Sequence, residues 1–129
     1  MIVVDVNVVA YLLIPGRYTE PAERLLQADP QWAAPRLWRS ELRNVLATYV
    51  RSSQLELAHA AVLFDRASLL IGADEYEVET ADVLRLSKAS GCSAYDCEYV
   101  ALAEFLDVKL VTADKKLAQA FAQRVAVLA

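Results

Sequence analysis

Ile2-Val3-Val4-Asp5-Val6 opens the chain with a β-branched run interrupted by a single acid, the pattern of a strand buried on both faces with Asp5 near its carboxyl end. Helical and strand patterns alternate from there. Thr19 is a plausible N-cap, followed by Pro21 in the first turn of a short helix through Leu26. Trp32-Ala33-Ala34 reads as a brief strand. After Pro35, Trp38, Leu42, Val45, Leu46 and Tyr49 recur mostly at three- and four-residue intervals and predict an amphipathic helix to about Val50. A second such helix covers Leu57 to about Leu70, before Gly72. Glu75 to Glu79 alternates as a short strand, Thr80 can cap a helix that stops at Gly91, and Ser93 caps one carrying Tyr99, Val100, Ala103 and Phe105. Val108 to Thr112 reads as a strand, Asp114 as the cap of a helix from Leu117 to Ala122, and Val125 to Leu128 as the last strand. This alternation predicts an α/β domain with a mostly parallel sheet.

With 129 residues the chain fits one domain, 1–129, and 57% hydrophobic against 23% charged residues excludes a disordered protein. No run approaches the roughly 20 apolar residues of a membrane helix. The amino terminus lacks the basic and cleavage regions of a signal peptide, so cytoplasmic residence without membrane association is expected. Cys92 and Cys97 read as small core residues, with no reason to propose a disulfide or zinc site. The formal charge of −4 argues against gripping nucleic acid by bulk electrostatics, though not against local contacts.

Four acids stand where solvation does not explain them. Asp5 lies in the most apolar strand, where an unpaired carboxylate costs several kcal/mol unless the strand end faces a polar cleft. Glu41 falls on the stripe of Trp38, Leu42, Val45 and Tyr49, and Asp96 on that of Tyr99, Val100 and Ala103. Asp114 follows a strand and can also cap the next helix. Ligands of open parallel sheets bind outside the strands' carboxyl ends, near a reversal of strand order, and Asp5 and Asp114 could meet there. Four carboxylates in one crevice repel by roughly 3 kcal/mol per ionised pair at about 5 Å and an effective dielectric near 20. A hard divalent cation offsets this, and an all-oxygen donor set suits Mg²⁺ or Mn²⁺ rather than zinc. Such a site can align water for attack on phosphorus, which points to metal-dependent phosphodiester hydrolysis. The competing explanation for each inward acid is a structural ion pair, with Arg36, Arg39 or Arg43 as partner; for Asp114 it is helix capping alone.

The segments Val3-Val4-Asp5-Val6-Asn7-Val8-Val9, Ser40-Glu41-Leu42 with Val45-Leu46, Ser93 to Ala103 around Asp96, and Leu110-Val111-Thr112-Ala113-Asp114-Lys115-Lys116-Leu117 together resemble the motifs of the PIN domain, especially its small VapC-type toxin branch. The resemblance spans nearly the whole chain. It implies a three-layer α/β/α fold in which Asp5, Glu41, Asp96 and Asp114 form an acidic pocket for Mg²⁺ or Mn²⁺. It further implies that Asp5 and Asp96 hold the metal directly or through water, while Glu41 and Asp114 complete the pocket or orient the attacking water. Asn7 and Thr112 are candidate hydrogen-bonding supports. Proteins of this branch are toxin ribonucleases that form homodimers and are held inactive by a cognate antitoxin, so an RNA substrate, an antitoxin partner and a homodimer are the corresponding expectations.

Arg36, Arg39, Arg43, Lys115 and Lys116 could draw RNA phosphate towards the pocket or be solvated charges. The acidic run from Asp74 to Asp82 reads as a solvated face. His59, in an Ala-rich helix, reads as surface or packing, and the Trp and Tyr residues as core or interface anchors that could instead stack on bases. The rival readings are a phosphoacceptor receiver domain, disfavoured because Asp5 is followed by Val6 rather than a second acid, and a PIN-like module that only binds.

Overall fold

The computed structural model describes residues 1–129. Five strands form one sheet in the order β3-β2-β1-β4-β5: β1 (Ile2–Val4), β2 (Trp32–Pro35), β3 (Glu75–Tyr76), β4 (Leu110–Thr112) and β5 (Val125–Val127). Every neighbouring pair is parallel, so the sheet is wholly parallel rather than mostly so. Consecutive residues Val3 and Val4, Ala33 and Ala34, and Leu110 and Val111 are all buried. Because alternate side chains point to opposite faces, both faces must be covered, which gives the three-layer α/β/α arrangement.

The covering helices are α1 (Val6–Leu13), α2 (Thr19–Ala28), α3 (Trp38–Arg51), α4 (Leu57–Ile71), α5 (Thr80–Ser90), α6 (Ala94–Leu106) and α7 (Lys115–Ala120). Helix α6 lies against β1, β2 and β4 and carries α5 on its outer side, while α1 packs with α2, α3 and α4. Residues α6 shares with the sheet, among them Val100, Leu102 and Ala103, are fully buried beside Val3, Val4 and Leu110.

The central strand β1 pairs with β2 on one side and β4 on the other. Strand order therefore reverses there, and the crevice at such a reversal is where parallel α/β folds place ligands. Asp5 follows β1 directly and Asp114 follows β4 after one residue.

Several boundaries differ from the sequence reading. The opening strand ends at Val4, and Val6 to Leu13 is a helix that the sequence reading missed; Asp5, in extended conformation, caps it. Val6, Val8, Val9 and Ala10 are buried in this helix, so packing overrides the β preference of its valines. Thr19 and Thr80 each begin a helix rather than cap it, the cap positions being Tyr18 and Glu79. The Thr19 hydroxyl instead accepts from the Gly16 amide and donates to the Tyr11 carbonyl, at 2.9 and 2.7 Å. Strand β3 stops at Tyr76, and α7 starts at Lys115 and ends at Ala120. The stop at Gly91 holds, with a left-handed φ of 77° that a glycine adopts without strain. Cys92 and Cys97 are free thiols, Cys97 fully buried and Cys92 half-buried.

Candidate active site

Asp5, Glu41, Asp96 and Asp114 line a single open cavity of about 580 Å³, reached from the end of β1, from α3, from α6 and from the cap of α7. Asn7, Ser40, Asn44 and Tyr95 complete its polar wall, and no lysine or arginine lines it. The cap geometry aims the acids. Ser93 Oγ accepts from the Asp96 amide at 3.1 Å, fixing the first turn of α6, and Asp114 Oδ1 accepts from the amides of Lys116 and Leu117 at 2.9 and 3.2 Å. Asp114 is thus a cap and a cavity-lining acid at once.

Thr112 joins the two strand ends. Its buried hydroxyl donates to Asp5 Oδ2 at 2.7 Å and accepts from the Asp114 amide at 3.0 Å. On the opposite wall, Tyr99 donates to Glu41 Oε1 at 2.6 Å, tying α6 to α3. Sequence reading treated Tyr99 as core; its signal was its position three residues after Asp96, on the same helical face. Asn7 contributes its backbone amide, 3.5 Å from Asp5 Oδ1, and also borders the cavity.

Burial pushes the Asp5 carboxyl up from its ordinary range, only partly countered by the Thr112 hydroxyl and the Asn7 and Val6 amides, and the charge of Asp114 adds to the rise. Glu41 is raised first by burial and then, against the Tyr99 hydroxyl, by the charges of Asp5, Asp96 and Glu98. Asp96 is raised by burial and by Asp5 and Asp114. Burial and Glu41 hold the Tyr99 phenol far above its usual range, so it remains a donor. Three carboxyls raised by burial and by neighbouring acids in one cleft mark it as a candidate functional site.

A structural ion-pair explanation is not realised. The chain forms seven ion pairs, and none includes any of the four cavity acids. Arg36 pairs with Glu77 and Arg39 with Glu75, while the Arg43 guanidinium lies 4.9 Å over the Phe64 ring. These pairs also mean that part of the acidic run after Asp74 is engaged rather than simply solvated.

The oxygen-only donor set fits a hard divalent cation. The carboxylates are spread around the cavity, and no group of three or more His, Cys, Asp or Glu side chains forms a ready metal cage.

The PIN domain family model matches residues 2–122. The chain belongs to the PIN domain family. This PIN domain is 30% identical over 123 residues to Ribonuclease VapC3 of Pyrobaculum aerophilum, covering 93% of this chain and 94% of that one, which places it with the VapC nucleases. A crystal structure from Pyrobaculum aerophilum superposes with a TM-score of 0.77 at 21% identity, covering 98% of this chain and 90% of that one. A toxin–antitoxin complex from Klebsiella pneumoniae gives 0.68 at 18%, covering 98% and 96%. Family membership removes the receiver-domain alternative.

In this PIN domain Thr112 can be tested apart from the acids. Thr112→Val keeps the shape and β preference of the side chain but deletes both hydrogen bonds. The expected result is a loss of RNA cleavage of about 10–100-fold, the scale of removing a hydrogen bond that orients a site carboxylate. Steady-state rates on a labelled oligoribonucleotide, with circular dichroism to confirm folding, measure it.

Proposed function

We propose that this chain, acting as one domain over residues 1–129, is a divalent-metal-dependent endoribonuclease and the toxin of a toxin–antitoxin pair. The observation that carries the reading is four carboxylates lining one cavity at the strand-order reversal with no cationic side chain among the lining residues. Asp5 and Asp96 are assigned to hold Mg²⁺ or Mn²⁺, with Glu41 and Asp114 completing the pocket. When bound, such a cation neutralises phosphoryl oxygens and lowers the pKa of a coordinated water.

The side chains supply orientation and proton handling. Glu41, with its raised pKa and with Oε1 held by Tyr99, is suited to receive a proton from the attacking water. Thr112 fixes Asp5, and Asn7 stands at the rim. His59 is exposed on α4 and does not line the cavity, so no histidine base is assigned. The antitoxin assignment is supported by the Klebsiella complex. Homodimer formation is supported by large exposed apolar side chains such as Leu84 and Phe105 on adjoining helices α5 and α6.

Purified chain is expected to cleave RNA in Mg²⁺ or Mn²⁺, to lose that activity in EDTA, and to regain it when the cation is restored. Cleavage that persists unchanged in EDTA refutes metal dependence. Absence of cleavage with either cation in the antitoxin-free protein supports the binding-only reading instead.

A further inference from the structure

The acidic cavity, at about 580 Å³, lies in the size range of pockets that enclose a whole small ligand, so it has room for more than a hydrated cation. With no lysine or arginine lining it, uncharged contacts must hold whatever lies over the acids. Two side chains on its walls have no other task. Tyr95, immediately before Asp96 on α6, is 64% exposed and borders the cavity. The Tyr18 ring is stacked on Tyr11 and covered by the Arg17 guanidinium, and Trp38 is engaged by Phe64 and Arg39, whereas the Tyr95 ring enters no such contact. The hydroxyls of Tyr18, Tyr76 and Tyr99 are hydrogen-bonded; that of Tyr95 is not. Asn44, exposed on α3 and three residues after Glu41 on the same helical face, makes no side-chain hydrogen bond, since it is its backbone carbonyl that accepts from the Thr48 hydroxyl. Neither residue belongs to the hydrophobic core, so packing does not account for them.

A phosphodiester set over the acids brings the nucleosides that flank it against the cavity walls, because they are joined covalently to that phosphate. An open aromatic ring offers a base a stacking face, and a free carboxamide carries both a donor and an acceptor for the base's edge. We infer that Tyr95 and Asn44 form a nucleobase subsite that sets sequence preference at the cut: Tyr95 stacks on the base flanking the scissile phosphate, and Asn44 reads the edge of that base. This rests on the ribonuclease reading of the acids. Stacking is tolerant of base identity, so Tyr95 supplies affinity and Asn44 supplies discrimination. Neither touches the reacting atoms. Both are substrate-positioning residues, separable from the chemistry of the four carboxylates.

The test measures cleavage in Mg²⁺ of short labelled oligoribonucleotides that carry each base in turn on either side of the cut, with kcat and KM determined separately for the full chain. Tyr95→Ala is expected to raise KM by about 10-fold on every substrate while kcat changes less than about 3-fold, and Tyr95→Phe, which keeps the ring, to restore KM. Asn44→Ala is expected to shrink the ratio of kcat/KM between the best and worst base at one flanking position by about 10-fold. Folded Tyr95→Ala with the wild-type KM, together with folded Asn44→Ala that keeps the wild-type preference, overturns the subsite and leaves the ribonuclease reading intact. A fall in kcat alone in Tyr95→Ala also overturns it, because the effect then lies on the neighbouring Asp96. If the wild type does not cleave RNA, anisotropy of the same substrates in Mg²⁺ decides between the two readings. Binding that Tyr95→Ala weakens and Tyr95→Phe restores then supports the subsite while the ribonuclease reading fails, and binding indifferent to Tyr95 overturns both.

Discussion

Asp5→Asn is expected to lower the rate of RNA cleavage by about 10³-fold, equivalent to roughly 4 kcal/mol of transition-state stabilisation, without unfolding the protein. The substitution keeps the size of the side chain, and asparagine is as good an N-cap for α1 as aspartate. What it removes is the negative charge at the centre of the strand-order reversal. The pKa values of Asp5, Glu41 and Asp96 are all raised, with burial the first cause in each. A carboxyl with a higher pKa folded than unfolded contributes its stability below the unfolded value and loses it as pH rises through the raised folded value. Above the raised folded values the ionised acids therefore oppose folding of the metal-free protein. Metal-free Asp5→Asn should accordingly melt no lower than wild type at pH 7, a combination of lost activity and retained stability that simple structural damage does not produce. Cleavage within a few-fold of wild type would remove Asp5 from the site.

Trp38→Ala is expected to cost about 4 kcal/mol of stability and to lower the melting temperature by roughly 10–20 °C. Trp38 is fully buried, stacks on Phe64 with centroids 5.5 Å apart, and donates from Nε1 to Glu75 Oε1 at 2.9 Å. That same Glu75 oxygen pairs with Arg39, so the indole joins α3, α4 and β3 at once. Its loss opens a cavity and leaves the Glu75–Arg39 pair without its third partner. Because Trp38 is one turn before Glu41, the wall that carries this acid loosens as well. Urea unfolding of the variant measures the effect, and a destabilisation below about 1 kcal/mol would contradict the packing described for α3.

Asp5, Glu41 and Asp96 were legible in the sequence because each broke a local rule, a charge in a β-branched strand or a charge on an apolar helical stripe, whereas Asp114, a favoured helix cap, stood out only by its place after a strand. The parallel sheet was legible from the alternation of strand and helix patterns. Helix α1 was not, because Val6, Val8 and Val9 carry β-branched side chains that read as strand, and only burial between other helices makes them helical. The roles of Thr112 and Tyr99 were less visible still. Thr112 was a candidate support without a partner, and Tyr99 reaches Glu41 across 58 residues of sequence, a pairing that helical periodicity within one segment does not encode. The cluster of Tyr11, Arg17 and Tyr18 depends on how Thr19 folds the intervening turn, whereas the sequence suggested only a cap for that threonine.

The central claim is that the four unpaired carboxylates form a divalent cation site. Titration of Mn²⁺ into metal-free protein, with free Mn²⁺ followed by electron paramagnetic resonance, tests it most directly. The account predicts saturable binding at pH 7 that weakens as pH falls, because the raised carboxyls must lose their protons to bind. It also predicts at least a 10-fold loss of affinity in Asp5→Asn and in Asp96→Asn. Equal, pH-independent Mn²⁺ binding by wild type and both variants, or no saturable binding at all, would contradict it.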